Sequence, residues 1–200
     1  MADVLTLSKS ELILGGQKSG KSRRAEWLAK TWLAASPQHK ATLIATGQAW
    51  DEEMRHRIAR HQRERAERVP GLLTVEEPRL LAEAIAAYSR PDTLLVVDCL
   101  TLWLTNWLMP FKPTAEDSEK NRPQAPDVSA PIAMLLGAIR NATGPLVLVG
   151  NEIGLGVIPL GREVRAFVDA LGRLNQDVAQ ACERVTLMAA GLPLTLKGTA

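Results

Sequence analysis

Short apolar runs alternate with longer amphipathic segments along this chain. Leu12-Ile13-Leu14, Ala41 to Thr46, Leu72 to Glu76, Thr93 to Asp98, Leu146 to Val149 and Arg184 to Ala189 read as short strands. Arg24 to Ala35, Asp51 to Arg68, Pro78 to Tyr88, Leu100 to Met109, Ile132 to Arg140 and Arg162 to Arg184 carry the spacing of helices. Strands separated by helices predict an α/β fold with a mostly parallel sheet covered on both faces. Gly191-Leu192-Pro193 turns the chain into Leu194-Thr195-Leu196, a C-terminal antiparallel edge hairpin.

The pattern also predicts which side chains pack. Trp27, Leu28 and Trp32 form the buried edge of the first helix, and Met54 with Ile58 that of the second. Phe167, Leu171 and Leu174 do the same in the last helix. Trp103 and Trp107 lie four residues apart in an apolar helix that suits core packing, with an oligomer contact as the alternative. Residues 1–10 read as a loose lead-in. Residues 110–131, with Pro113, Pro123 and Pro126 among charged residues, read as a mobile loop insertion. The 200 residues then form a single domain with no internal repeat.

Composition adds mainly exclusions. A formal net charge of +2 argues against a nucleic-acid binder. Cys99 and Cys182 lie far apart, match no metal spacing and read as buried free thiols. No signal-peptide core and no membrane-length apolar run is visible, so a cytoplasmic protein is expected.

The chemistry begins after the first strand. Gly15-Gly16-Gln17-Lys18-Ser19-Gly20-Lys21-Ser22 fits G-x-x-x-x-G-K-[ST], between a strand and a helix that opens near Arg23. This is a P-loop, and it specifies a P-loop NTPase-like sheet. Gly15, Gly16 and Gly20 are expected where a Cβ would obstruct the turns. The loop N–H groups and the helix N-terminus then cradle phosphate oxygens. Lys21 supplies charge for the β- and γ-phosphates, and Ser22 a hydroxyl for Mg²⁺. Asp98, ending an apolar strand, has the form of a Walker-B carboxylate and joins Ser22 as a metal residue.

A second centre lies on the charged helix. Arg57, His61 and Arg65 are spaced by four and share a face. A neutral imidazole there can attack a phosphorus and split one transfer into two, with arginines neutralising the phosphates. A solvated surface histidine is the alternative from spacing alone. Gly150-Asn151-Glu152 ends another strand, at the edge where open α/β sheets bind ligands.

Taken in order, these segments resemble a known family. They are Gly15 to Arg23, Ala45-Thr46-Gly47-Gln48, Trp50 to Met54, Arg57-Ile58-Ala59-Arg60-His61 and Thr74-Val75-Glu76-Glu77-Pro78. Asp98 to Asn106, Asn151-Glu152-Ile153-Gly154-Leu155-Gly156 and Gly172-Arg173-Leu174-Asn175-Gln176 complete the set. The chain resembles the bifunctional adenosylcobinamide kinase/adenosylcobinamide-phosphate guanylyltransferases of cobalamin biosynthesis. The resemblance implies phosphorylation of the aminopropanol hydroxyl of adenosylcobinamide with ATP or GTP. It also implies GMP transfer from GTP to adenosylcobinamide phosphate, through a guanylylated histidine matching His61. Lys21 is its other catalytic residue. The P-loop residues Gly15, Gly16, Gln17, Lys18, Ser19, Gly20, Lys21, Ser22 and Arg23 are expected to bind nucleotide. So are Thr46, Gly47 and Gln48, Gln62, Arg63, Glu64 and Arg65, and Glu76 and Asp98. The resemblance further implies a homo-oligomer. Leu160-Gly161 stands where related chains often carry more polar residues. A P-loop switch is the non-enzymatic rival, but its N-K-x-D guanine signature is missing.

Overall fold

Among the described residues six parallel strands and one antiparallel strand make a single sheet, with the predicted run Leu72–Glu76 at one edge and the C-terminal hairpin strand at the other. The strands are β1 Ser10–Gly15, β2 Lys40–Ala45, β3 Leu72–Glu76, β4 Thr93–Asp98, β5 Leu146–Val149, β6 Arg184–Ala189 and β7 Leu192–Lys197. Their order across the sheet is β3-β2-β4-β5-β1-β6-β7, and only β7 runs antiparallel. The computed structural model describes residues 7–49, 51–109 and 127–198, without the side chain of Arg57. This is the α/β fold of P-loop NTPase type that the sequence predicts.

Side chains alternate between two cores. Leu12, Leu95, Val97 and Leu148 face one side, against helices α3 Leu81–Tyr88, α4 Leu100–Leu108, α5 Ser129–Asn141 and α6 Arg162–Ala181. Ile13, Leu43, Val96 and Val147 face the other, against α1 Lys21–Ala35 and Val69, which ends α2 Glu52–Arg68. Full burial of each such side chain is worth ~1.5–3 kcal/mol. Right-handed crossovers explain the split. The chain leaves β1 through α1 and α2 on one face and returns from β3 through the remaining helices on the other. After β1 it turns to one face and after the adjacent β5 to the opposite face. The crevice at the carboxyl ends of β1 and β5 is therefore a topological switch point, where such sheets bind ligands.

Several expectations shift. The lead-in is held at its end: Ser10 is buried in β1, and the carbonyl of Lys9 accepts from the amide of Leu146. Of the three residues expected at the edge of α1, only Leu28 is fully buried; Trp27 is exposed, and Trp32 stacks on His39 at 3.6 Å. The helix buries Ala25, Leu28 and Ala29, a narrower stripe than its tryptophans suggest. Trp103 is core, and its indole N–H donates to the carbonyl of Arg79. Helix α5 starts at Ser129, inside the expected loop, and residues 110–126 of that loop lie outside the described set. The last helix stops at Ala181. The final turn falls on Ala190-Gly191, both at positive φ, so β7 already begins at Leu192.

Candidate active site

The P-loop joins β1 to α1 at the switch point. Gly15 is irreplaceable on steric grounds: a Cβ would sit 2.5 Å from the carbonyl oxygen of Met188 and 2.6 Å from Ser19 Oγ. Gly20 adopts φ 104°, which side chains resist. Gly16 corrects the expectation, since a Cβ there would meet open space. Lys18 instead takes the left-handed conformation, at φ 56°. Behind the loop, Arg24 of α1 grips the buried Glu11 of β1 at 3.0 Å, fixing the helix against its strand.

Lys21 is nearly buried, and its ammonium donates to the carbonyl of Gly16 at 2.6 Å. Burial lowers its pKa, while the neighbouring Cys99 and Asp98 pull the other way. Ser19 Oγ is buried with no partner among the described residues. The loop thus sets the Lys21 ammonium and the unused Ser19 hydroxyl beside its backbone amides, a donor-rich concavity suited to phosphate.

Asp98 ends β4 half-exposed, and the peptide joining it to Cys99 is cis. Thr46 secures this corner from the next strand. Its hydroxyl donates to the carbonyl of Cys99 at 2.7 Å and accepts from the amide of Cys99 at 2.9 Å. Thr46 is fully enclosed, and its hydroxyl is spent holding the strand end. Burial drives the Cys99 thiol up to about 11, so it is a neutral packing group. Asn106, buried on α4, donates to the carbonyls of Thr46 and Pro78 and ties this loop to the one after β3. Gly47 packs against Leu102, where an added Cβ would make a tight 3.3 Å contact with Leu102 Cδ1. Gln48 is half-buried beside it.

Beyond β5, the amide of Glu152 donates to the carbonyl of Gly15, and the amide of Asn151 to Thr101 Oγ1. Asn175 of α6 donates to the carbonyl of Asn151 at 3.0 Å and faces Glu152 Oε2 at 3.4 Å. The Asn-Glu and Gly-Arg-Leu-Asn-Gln segments, distant in sequence, are thus one unit next to the P-loop.

Asp51 caps the charged helix, its side chain accepting from the amide of Met54 at 2.7 Å. His61 is half-buried. Arg65, expected to neutralise phosphate, is buried, 3.8 Å from Glu26 of α1, and Arg68 reaches the same carboxylate at 2.8 Å. Glu26 is itself buried, so the guanidiniums neutralise a protein carboxylate there. Gln62 donates to Glu76 Oε1 at 3.1 Å, linking two expected nucleotide residues across α2 and β3. Arg63 is exposed, and Glu64 pairs with Arg68 and Arg60 on the helix surface. Arg23 and Gln17 are exposed at the loop. Sequence reasoning missed Glu26 and Asn106. A charged residue on the apolar side of α1, one turn after Ser22, was the available signal for the first.

Compared with known families, residues 11–196 match the profile described as cobinamide kinase / cobinamide phosphate guanyltransferase. The chain belongs to this family. Among relatives of this kinase/guanyltransferase is the bifunctional adenosylcobalamin biosynthesis protein CobP of Pseudomonas aeruginosa. It is 46% identical over 189 residues, covering 94% of this chain and 97% of the relative. The bifunctional adenosylcobalamin biosynthesis protein CobU of Escherichia coli is 35% identical over 187 residues, covering 93% and 98%. That of Salmonella typhimurium is 34% identical over 193 residues. The kinase/guanyltransferase family therefore spans the sheet from β1 to β7, including the P-loop, α2 and the Asn175 unit.

Proposed function

We propose that this protein phosphorylates adenosylcobinamide with ATP or GTP and then transfers GMP from GTP to adenosylcobinamide phosphate. The products of the second reaction are adenosylcobinamide-GDP and pyrophosphate. The observation that carries the kinase half is the donor-rich loop around Lys21, set at the switch point beside Asp98. Backbone amides and the lysine hold the phosphates and stabilise charge developing on the transferred group.

His61 carries the second half. A ring nitrogen attacks the α-phosphorus of GTP, an N–P bond forms, and the bond to the β-phosphate oxygen breaks to release pyrophosphate. A phosphate oxygen of the acceptor then attacks the same phosphorus and the N–P bond breaks. The anchoring of α2 supports this assignment. Arg65 and Arg68 dock on Glu26, one turn below Ser22, and His61 stands one turn above Arg65. Both helices descend from the carboxyl ends of their strands, so the anchor directs His61 toward the P-loop end. Gln48, Gln62, Arg63 and Glu76 are the remaining nucleotide contacts of this reading.

Ser22 and Asp98 suit Mg²⁺. This ion takes oxygen donors, keeps several waters and needs only one or two protein groups once phosphates complete its shell. Among the described residues no cluster of three or more His, Cys, Asp or Glu offers a different metal centre. Bound there, Mg²⁺ would neutralise phosphate charge. We further propose a homo-oligomer acting in the cytoplasm, checked by light scattering and by fractionation. No helix of the described residues is long and apolar enough to cross a membrane.

The test uses GTP labelled at the α-phosphate. Acid-labile, base-stable label on the protein that disappears in His61→Ala, while phosphorylation of the acceptor persists, is the expected result. Undiminished label in that variant removes His61 from the mechanism.

A further inference from the structure

The loop after β5, helix α6 and the β6–β7 hairpin enclose a cleft of about 940 Å³ whose inner wall includes Leu14 and Glu152. The size falls within the range of small-molecule sites. Its lining is largely apolar, from Ile153, Leu155, Val157 and Ile158, and these side chains are strongly exposed rather than packed in the core. Arg165 holds the loop in place by donating to the carbonyls of Pro159 and Leu160. The cleft adjoins the phosphate loop: Glu152 lines it, and the amide of Glu152 donates to the carbonyl of Gly15.

The lining also carries Arg165, Asp169, Arg173, Gln176 and Lys197, and two further polar groups stand at its inner end. The first is the Glu152 carboxylate. Oε1 accepts from the amide of Gly154 at 2.9 Å, and Oε2 lies 3.4 Å from Asn175 Nδ2. A carboxylate accepts about four hydrogen bonds, so capacity remains on an oriented, half-exposed group. The second is Asn175 Oδ1. It is buried in the cleft wall and has no partner among the described residues. A buried acceptor without a donor is costly, by ~1–3 kcal/mol; this oxygen is closed off from the cleft and lies beside Gly150, so what Asn175 offers a ligand is the position it gives Glu152.

We propose that this cleft receives the alcohol acceptor of the kinase reaction and that Glu152 is the general base for its hydroxyl. The inference rests on the functional reading above and assigns a site and a step that reading leaves open. The bulk of the acceptor lies against the exposed apolar loop, and its hydroxyl-bearing arm reaches over Gly15. As the acceptor oxygen forms its bond to the γ-phosphorus, its proton passes to Glu152. The bond from the γ-phosphorus to the β-phosphate oxygen breaks, and the nucleoside diphosphate leaves with that electron pair. Asn175 is a positioning residue, since it braces both Asn151 and the Glu152 carboxylate.

The test is steady-state phosphorylation of cobinamide by wild type, Glu152→Gln and Glu152→Ala. A positioned base contributes about 10²–10⁴-fold. The expected result is a fall in kcat of about 100-fold or more in Glu152→Gln, with the KM for ATP within about threefold of wild type. Formate should restore part of the rate to Glu152→Ala, because a small carboxylate can enter the vacated space. Rescue of this kind is beyond a residue that only holds the loop. A kcat within about tenfold of wild type in Glu152→Gln, or no formate rescue of a folded Glu152→Ala, overturns the proposal. Failure of wild type to phosphorylate cobinamide at all would sink the functional reading with it, whereas a small Glu152 effect in an active enzyme sinks this inference alone.

Discussion

Individual side chains in this protein divide into those spent on structure and those left for chemistry, and burial draws the line. Thr46 and Arg65 stand within segments expected to bind nucleotide, yet the Thr46 hydroxyl is committed inside the fold and Arg65 is buried against Glu26. Sequence could not separate them from Gln48 or Arg63, because a motif records neighbourhood and not which way a side chain turns. Cys99 shows the opposite case. Its reading as a buried thiol needed only its place after an apolar strand, and the structure agrees. Burial pushes the Cys99 thiol up to about 11 and the Cys182 thiol up to about 12. The unfolded thiols ionise near ~8.5. Above that pH the unfolded chain sheds protons that the folded chain keeps, so stability falls as pH rises toward the folded values. The slope is at most about 1.4 kcal/mol per pH unit for each thiol. Urea midpoints at pH 7 and pH 10 should therefore converge more closely in Cys99→Ala than in wild type. A thiol reagent at pH 8 should label neither cysteine until denaturant is added; rapid labelling of the native protein would contradict the burial.

At the level of elements, β4 and β6 were legible to the residue, because β4 is an unbroken apolar run between Thr93 and Asp98, and β6 a β-rich run opened by Arg184 and closed before the Gly191-Leu192-Pro193 turn. The start of α5 was not, since Pro131 suggested a loop while Ser129 and Ala130 already lie in its first turn, where proline is tolerated. The attachment of α2 was also invisible. Its sequence shows a surface helix dense in charge, whereas the structure fastens its lower half through one buried carboxylate. Glu26 faces two guanidiniums of unequal worth. Arg65 is shielded from water, while Arg68 is more than a third exposed and contributes about 0–1 kcal/mol. Removing the carboxylate strands the Arg65 charge, a change that costs about 3–5 kcal/mol at buried pairs. Glu26→Ala should accordingly lower the urea midpoint by that equivalent, and Arg68→Ala by far less. Replacing Glu26 and Arg65 together by apolar residues should recover much of the loss. If Glu26→Ala and Arg68→Ala prove equally mild, α2 is held by something other than this clamp.

For the molecule as a whole, the sheet order decides where ligand binding couples to stability. The P-loop hangs from β1, which pairs with β5 and β6 near the middle of the sheet, and its first turn of helix is tied back to Glu11. A nucleotide gripping this loop therefore binds a feature that exists only when the central strands are assembled, and the unfolded chain offers nothing comparable. A ligand of that kind stabilises by RT ln(1 + [L]/Kd), about 2.7 kcal/mol at a hundredfold excess over Kd. For a chain of this size each kcal/mol raises Tm by about 2–4 °C, so saturating GTP should raise it by about 5–10 °C. Lys21→Met should remove most of that shift, because the substitution keeps the buried stem but takes away the charge that meets the phosphates. His61→Ala should retain most of it, because the imidazole acts on the α-phosphorus after the triphosphate is held. Calorimetry of the three proteins with and without GTP reads both outcomes. An undiminished shift in Lys21→Met would mean that the nucleotide binds away from this loop, and a shift lost in His61→Ala would mean that α2 contributes to the grip itself.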